Sequence, residues 1–263
     1  MSGKQYLLRQ VLDRLPALRI RARVIGHVDV GCHEQAAFLH VDLTTVPEPF
    51  SWAHRFCARC INGRAVSIRR DRYSTARVGQ DGAAPGPVIV KSIYNHQGKM
   101  ELLEAIRQRR LRFPSDDRPN DPTSPYELYA SSAAVPAAVW SDPERIVERF
   151  VPGSLEPPIV KYRQEFFLDM ELNTRAVFDD PLCTEDSMTS LDFLDAGPPE
   201  IPALRERLGL DYGSVDYFVE DGAAVIIDVN KTTTFTPAWV AAHRQLDDYV
   251  QSVAERLADH VRR

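Results

Sequence analysis

Two acidic side chains and one amide, near the end of the sequence, have types and spacing that suit metal chemistry. Asp216 stands alone between apolar residues, and Asp228 and Asn230 follow it as an Asp-x-Asn pair. Carboxylate and amide oxygens are the ligands that Mg²⁺ prefers, and its remaining positions are commonly filled by water and phosphate oxygens. The three residues therefore predict a magnesium site.

A β-hairpin over these residues would bring the three side chains together. Apolar residues alternate through Gly213–Val219, Glu220–Gly222 is typical of a turn, and Ala223–Asn230 begins apolar and ends polar. On a central strand, Asp228 and Asn230 are two residues apart and point to one face, which Asp216 can share from the neighbouring strand.

A lysine and a glycine earlier in the chain suit phosphate binding. Lys91 ends the apolar run that begins at Val88, and the polar segment Asn95–Lys99 follows it. A strand ending in lysine fixes an ammonium group beside whatever binds there, and Gly98 lets loop amides approach a phosphate closely. This stretch predicts a strand followed by a phosphate loop.

In this order, the motifs resemble the ATP-grasp superfamily. The resemblance covers about Phe38 to Pro237 and includes Val88–Lys91 with its glycine loop, the segment Glu148–Gly153, and the acidic hairpin. It implies an α+β ATP-grasp fold, in which two α+β subdomains clamp the nucleotide after an abbreviated N-terminal α/β segment. The expected divisions are 1–74 for that segment, 75–151 for the small subdomain and 152–263 for the C-terminal subdomain with the metal site.

The resemblance also implies roles for individual residues. Magnesium would be held by Asp216, Asp228 and Asn230. The nucleotide would be bound by Arg70, Lys91, Gly98, Glu148, the backbone of Phe150 and Val151, and Glu156, with Glu148 near the base and Glu156 at the ribose. The transferred phosphoryl group would be stabilised by Arg175 and Arg163.

Three features depart from the pattern of the superfamily. Asp228 stands where glutamate is frequent, Arg70 where lysine is usual, and Gln97 where the loop often has a second glycine. Arginine keeps the positive charge of lysine and adds a planar fork.

The resemblance implies an ATP- and Mg²⁺-dependent carboxylate–amine ligase. A small-molecule carboxylate would be activated as an acyl phosphate and captured by an amine, with release of ADP and phosphate. One alternative is a kinase that phosphorylates a small-molecule hydroxyl. The other is a nucleotide-binding or interaction module without turnover, favoured by the short N-terminal segment, Arg70 and the single glycine of the loop.

Composition narrows the classes of partner. The sequence has 263 residues with a formal net charge of -5, which gives no general attraction to nucleic acids or anionic membranes. It contains no apolar run of about 18 residues and no signal-peptide core, so we expect a cytoplasmic protein with no membrane partner. The sequence leaves the oligomeric state open, a homodimer included.

Cys57 and Cys60 form a C-x-x-C pair without a second half, which favours reduced thiols over a zinc site.

Periodicity predicts the remaining elements. Helical spacing indicates helices over Gln5–Leu15, Ser51–Cys60, Met100–Leu111, Pro202–Leu208 and Trp239–Val261. Alternation predicts a strand over Ile159–Leu168, and the acidic stretch Asp179–Pro199 is interpreted as a loop.

Overall fold

The fold is taken from a computed structural model of the chain, which describes residues 5–24, 36–48, 50–82, 86–107, 126–152 and 156–263. Helix and sheet are mixed throughout these ranges. The structure thus confirms the predicted α+β class. Within the described part of the chain, no helix is both long and apolar enough to cross a membrane.

The strands and helices are numbered separately in chain order. The strands are β1 (Gln5–Tyr6), β2 (Ala37–Phe38), β3 (Cys60–Ile61), β4 (Val88–Ser92), β5 (Glu127–Tyr129), β6 (Arg145–Arg149), β7 (Ile159–Phe167), β8 (Met170–Phe178), β9 (Met188–Leu194), β10 (Tyr212–Glu220), β11 (Ala223–Asn230) and β12 (Thr234–Phe235). The helices are α1 (Leu7–Leu12), α2 (Ala53–Phe56), α3 (Lys99–Arg107), α4 (Ala137–Ser141), α5 (Glu200–Leu208), α6 (Pro237–Ala242) and α7 (Arg244–Arg262).

The larger sheet is antiparallel and has the strand order β11-β10-β7-β8-β9. The predicted acidic hairpin is present as β10 and β11, although β11 lies at the edge of the sheet and not at its centre. Asp216 lies directly opposite Asp228 on one side and Arg163 on the other. Directly opposed residues of an antiparallel pair point to the same face, so this register puts the three side chains on one face.

The smaller sheet is also antiparallel and has the order β5-β4-β6. Ile89 of β4 lies opposite Glu148 of β6, and Lys91 follows Ile89 by two residues. Lys91 and Glu148 are therefore diagonal neighbours on one face of this sheet.

The N-terminal segment is attached to the C-terminal part of the chain. β1 pairs with β12, and Leu7 and Val11 of α1 pack with Val250 and Leu257 of α7 in one hydrophobic core. Asn62 adds a polar attachment, because its side chain donates to the Tyr212 carbonyl (2.8 Å) and accepts from the Asp211 and Tyr212 amides (both 2.9 Å).

Several predicted boundaries were wrong. The interpretation of 179–199 as a loop missed β9, the helix predicted over 51–60 ends before Cys60, and the C-terminal helix is interrupted at His243. The helix predicted over 5–15 is shortened to α1 with a separate 3-10 turn after it. The end predicted for the helix over 100–111 lies outside the described residues, and the division into domains stays a prediction.

Candidate functional site

A cavity of about 120 Å³ lies where the two sheets face each other. Five of the residues predicted from the sequence line it: Arg70, Lys91, Phe150, Asp216 and Asp228. Its other walls include Ile89, Tyr126, Lys161, Cys183, Phe218 and Ile227. The cavity thus combines an apolar side with a side that carries charges of both signs.

Asp228 is paired with a buried arginine. Arg70 Nη2 lies 2.8 Å from Asp228 Oδ1, and the Tyr73 hydroxyl donates to the same oxygen at 3.3 Å. Arg70 is only 4% exposed, and its amide donates to the Ile93 carbonyl (3.0 Å) at the end of β4. Burial alone would raise the pKa of Asp228, but the positive charges of Arg70 and Lys91 outweigh it, and the pKa is lowered. Asp228 is therefore held as a carboxylate.

Asp216 faces two cations on β7. Arg163 Nη1 lies 3.4 Å from Asp216 Oδ1, and Lys161 Nζ lies 3.9 Å from Oδ2. Arg163 also contacts Glu165 through its Nε at 2.6 Å. Burial raises the pKa of Glu165, and the charge of Arg163 opposes that rise only in part. Arg163 therefore lies between two carboxylates, one of which is almost fully buried.

Asn230 connects the hairpin of β10 and β11 to the loop after β4. Its amide nitrogen donates to Asp228 Oδ2 (3.2 Å), and its amide oxygen accepts from Asn95 Nδ2 (2.6 Å). The backbone amide of Asn95 in turn donates to the Thr44 hydroxyl (2.7 Å). The side chain of Asn230 thus links the predicted phosphate loop with Asp228.

Of the three side chains predicted to bind magnesium, the two carboxylates fit such an ion. Asp216 and Asp228 are cross-strand neighbours that border the cavity, whereas the oxygen of Asn230 is already taken by Asn95. Among the residues that the structure describes, no group of three or more histidine, cysteine or acidic side chains is arranged to hold a metal. An ion bound here would therefore need phosphate oxygens and water to complete its coordination.

Lys91 has Glu148 as its partner, because their Nζ and Oε2 atoms are 2.7 Å apart. Glu148 is fully buried, so the pair fixes the lysine at the edge of the cavity. The sequence interpretation put Glu148 near the base of the nucleotide. In the structure the carboxylate of Glu148 forms an ion pair with Lys91.

The predicted loop forms a 3-10 turn over Asn95–Gly98. Gly98 has a φ of +79°, and His96 and Gln97 before it also have positive φ values of 46° and 56°. Glycine adopts such angles freely, whereas the other two do so at a cost. The loop therefore holds its compact conformation against local backbone preference.

Seven of the predicted residues do not line the cavity: Gly98, Glu148, Val151, Glu156, Arg163, Arg175 and Asn230. Glu148, Arg163 and Asn230 each contact a residue that does. Arg175 lies opposite Tyr162 on the other face of the large sheet and contacts Asp192 (2.9 Å). Glu156 is exposed and is not among the residues that line the cavity. Val151 is buried in an apolar cluster with Ile159 and with Phe218, which lines the cavity.

Phe150 lines the cavity, and its backbone amide is already used, because it donates to the Pro87 carbonyl at 2.9 Å.

Sequence reasoning missed several residues of the site. Tyr126 lines the cavity directly after a proline-rich stretch that gave no chemical signal. Tyr73 contacts Asp228 without belonging to any motif. Asn95 was recognised only as part of a polar loop, and its spacing from Gly98 does not indicate the contact it makes with Asn230.

Comparison with known proteins finds a distant likeness. A scan against protein-family models gives no match, and neither does a search of curated proteins. Among solved structures, the chain is similar to the RimK domain protein ATP-grasp from Sphaerobacter thermophilus DSM 20745, with 14% identity and a TM-score of 0.48 over 97% of this chain and 95% of that one. It is also similar to the ATP-grasp ligase PsnB complexed with a minimal precursor, with 12% identity and a TM-score of 0.49 over 97% and 95%.

A third similar structure is D-alanine–D-alanine ligase from Bacillus anthracis, with 14% identity and a TM-score of 0.33. The match covers 66% of this chain and 56% of the ligase, so the chain spans little more than half the length of that protein. The first two structures are described as ATP-grasp proteins, the superfamily that the sequence motifs resemble.

Proposed function

We propose that this protein is an ATP- and Mg²⁺-dependent carboxylate–amine ligase of the ATP-grasp type. In the proposed reaction a small-molecule carboxylate takes the terminal phosphoryl group of ATP to form an acyl phosphate, and an amine displaces phosphate to form an amide. ADP and phosphate are released. The observation that carries the proposal is that Arg70, Lys91 and the pair Asp216 and Asp228, which are far apart in sequence, border one cavity.

Each group on the cavity wall has a part in this proposal. Arg70 and Lys91 neutralise phosphate charge, and both are already oriented by acidic partners. Asp216 and Asp228 would hold Mg²⁺, which when bound neutralises phosphate charge. The apolar side, which includes Phe150, suits a nucleotide base.

Arg163 is the cation we propose for the transferred phosphoryl group. Positive charge near that group counters the charge that develops on its equatorial oxygens. Arg163 lies on the metal-binding face beside Asp216, whereas Arg175 faces the other way. Its contact with buried Glu165 fixes its position before any ligand binds.

A second candidate is a nucleotide-binding module without turnover. It is favoured because both carboxylates proposed to bind Mg²⁺ already contact an arginine. Asp228 is paired with Arg70, and Asp216 lies close to Arg163. In a module these contacts would persist when the nucleotide binds. In an enzyme the carboxylates would have to exchange at least part of this contact for Mg²⁺.

Thermal stability tests what both candidates share. A ligand that binds only the native state stabilises it, so Mg-ATP at about a hundredfold excess over Kd should raise Tm by roughly 5 °C or more. We expect Asp228→Ala to lose this shift. Asp192→Ala is the matched control, because Asp192 is an acidic residue of the same sheet paired with Arg175 on the other face. A wild-type melting curve that Mg-ATP leaves unmoved would show the proposal to be wrong.

Product analysis separates the functions. The chain is incubated with ATP, Mg²⁺ and pooled small carboxylates and amines, and the products are measured by mass spectrometry. A new amide with ADP and phosphate supports the ligase, and a phosphorylated acceptor indicates a kinase. Binding without products indicates the module. AMP and pyrophosphate contradict all three.

A further inference from the structure

Another cavity, of about 500 Å³, is lined largely by the N-terminal segment. Residues of α1, β2, α2 and the end of α7 line it, and side chains such as Leu12, Phe38 and Leu257 make its walls mainly apolar. The cavity proposed for the nucleotide measures about 120 Å³, and the two cavities share none of the described lining residues. The larger cavity is therefore a separate site with room for a ligand.

The polar side chains of the inner wall offer a ligand few hydrogen bonds. The Tyr6 hydroxyl donates to Asp42 (2.6 Å), and the Cys60 thiol donates to the Ile61 carbonyl (3.9 Å). Both ring nitrogens of His40 are buried, and burial lowers the pKa of the ring to about 4, so His40 is neutral at neutral pH. A ligand rich in hydrogen-bonding groups, such as a peptide, would lose its contacts with water here without replacing them. The interior therefore suits a hydrocarbon chain.

Three arginines surround the opening of this cavity. Arg9, Arg21 and Arg23 line the cavity and are exposed to solvent, so their charged groups lie at its opening. None of the described lining residues is acidic. Arg9 contacts Asp13 (3.2 Å), whereas Arg21 makes no hydrogen bond or ion pair within the described part of the chain. Arg21 can therefore bind an anionic group at the entrance to an apolar interior.

We propose that this cavity binds one long-chain fatty acid, with its carboxylate at Arg21 and Arg23. The hydrocarbon chain lies among Leu12, Phe38 and Leu257. A volume of about 500 Å³ suits a ligand with a single chain, and each buried methylene group should increase the affinity roughly fourfold. Arginine suits the head group, because a guanidinium group can donate two parallel hydrogen bonds to a carboxylate. The inference goes beyond the proposed function and does not depend on it.

The length and charge of the ligand test the proposal. The protein is titrated by calorimetry with octanoate, decanoate and dodecanoate, each below its critical micelle concentration. We expect one molecule to bind per protein chain, with Kd falling roughly tenfold or more for each two methylene groups. 1-Decanol and decyltrimethylammonium have apolar chains of similar length without the negative charge, and each should bind at least about fivefold more weakly than decanoate.

Three outcomes of these titrations would overturn the proposal. They are an absence of dodecanoate binding, binding that does not saturate at one molecule, and equal affinity for decanoate and the two uncarboxylated probes.

Variants at the opening test the position of the head group. Arg21→Gln/Arg23→Gln should weaken decanoate binding roughly fivefold and leave the Kd of 1-decanol within about twofold. Both positions are exposed, so the double variant should fold. Arg19→Gln is the matched control, because Arg19 is an exposed arginine of the same segment that does not line the cavity. Equal losses for decanoate and 1-decanol, or an equal effect of Arg19→Gln, would contradict the assigned contact.

Filling the cavity tests the position of the hydrocarbon chain. Ala53 of α2 lines the cavity, so Ala53→Phe should occupy part of its volume and weaken dodecanoate binding about tenfold or more. Leu12→Trp is a second variant of the same kind, and an unchanged Tm identifies the folded proteins. Ala138→Phe is the matched control, because Ala138 is an exposed alanine of α4 that does not line the cavity. Unchanged dodecanoate affinity in a folded Ala53→Phe or Leu12→Trp protein would contradict the proposal.

Competition with nucleotide separates this site from the proposed catalytic one. Saturating Mg-ATP should leave one dodecanoate site per protein chain, because the two cavities have no described lining residue in common. Loss of that site in the presence of Mg-ATP would place the carboxylate in the nucleotide cavity and overturn the inference. If dodecanoate binds as expected and Mg-ATP does not bind, the proposed function fails and this inference stands.

Discussion

Arg70 and Asp228 form a 2.8 Å ion pair that joins the turn before the smaller sheet to the edge strand of the larger one. Arg70 is nearly inaccessible, whereas the Asp228 side chain is 22% exposed toward the cavity. One contact therefore fixes both a predicted phosphate-binding cation and a predicted metal-binding carboxylate.

Removing one member of this pair should be more harmful than removing both. Asp228→Asn leaves the buried guanidinium of Arg70 without its counter-ion, and we expect a loss of at least about 2 kcal/mol in the free energy of unfolding. Arg70→Met with Asp228→Asn should cost less than the sum of the two single changes. Urea denaturation of all four proteins measures the coupling, and strictly additive losses would contradict this interpretation.

The two arginines proposed from the sequence should differ in their effect on nucleotide binding. Arg163→Gln removes a cation from the face of Asp216, so we expect Mg-ATP to bind about tenfold more weakly. Arg175→Gln should leave the Kd within about twofold, because Arg175 contacts Asp192 on the opposite face. Arg163→Lys should recover part of the loss. Isothermal titration of folded protein measures all three, and equal effects at the two positions would be inconsistent with the register of β7 and β8.

Acid sensitivity should depend on His40. Burial lowers its pKa from 6.5 to about 4, with Asp42 opposing and Lys231 adding to the shift. Since the unfolded chain binds the proton more tightly, the stability from neutral His40 is complete above about pH 6.5 and is lost as the pH falls toward 4. The loss should reach roughly 3 kcal/mol.

A variant at His40 isolates this effect. Both ring nitrogens of His40 lack hydrogen-bond partners in the described structure, and the ring packs edge-on against Tyr6. His40→Phe should therefore fold and flatten the dependence of stability on pH between 6.5 and 4. Chemical denaturation at several pH values measures the slope, and an unchanged slope in the variant would assign the acid sensitivity to other groups.

Gly213 permits the close approach of β10 and β11 beside the proposed metal ligands. A Cβ atom there would lie 2.3 Å from the Asn230 carbonyl oxygen, so Gly213→Ala must displace the end of β11. We expect a loss of about 2 kcal/mol or more in stability and weaker binding of Mg-ATP. Gly79→Ala is the control, because no atom lies within 4 Å of a Cβ at that position. Normal Mg-ATP binding in Gly213→Ala would mean that Asn230 is not needed at its present position.

Short-range patterns predicted the local elements that carry the site. The hairpin of β10 and β11, the strand ending near Lys91 and the strand β7 follow from alternation and a turn signal. The same rules missed β9 because acidic neighbours masked its alternation. They also ran α6 and α7 together, because the break at His243 carries no proline or glycine signal.

Pairings between distant elements could not be predicted in the same way. That Arg70 contacts Asp228 and Lys91 contacts Glu148 depends on sheet register and on how the sheets face each other. Arg175 is an example of a wrong placement. A shift of one residue along a strand turns a side chain to the opposite face, so the sequence alone did not reveal that Arg175 points away from Asp216. That Lys231, directly after the Asp-x-Asn pair, is buried emerges only from the structure.

Asn62 bears on how this chain can be recombined with others. Its side chain makes hydrogen bonds to Asp211 and Tyr212 at the start of β10, the strand that carries Asp216. A chimaera that exchanges the N-terminal segment to alter substrate preference would thus also exchange the anchor of the strand that carries a proposed metal ligand. Recombination breakpoints placed after position 62, with Asn62 retained, should preserve that anchor.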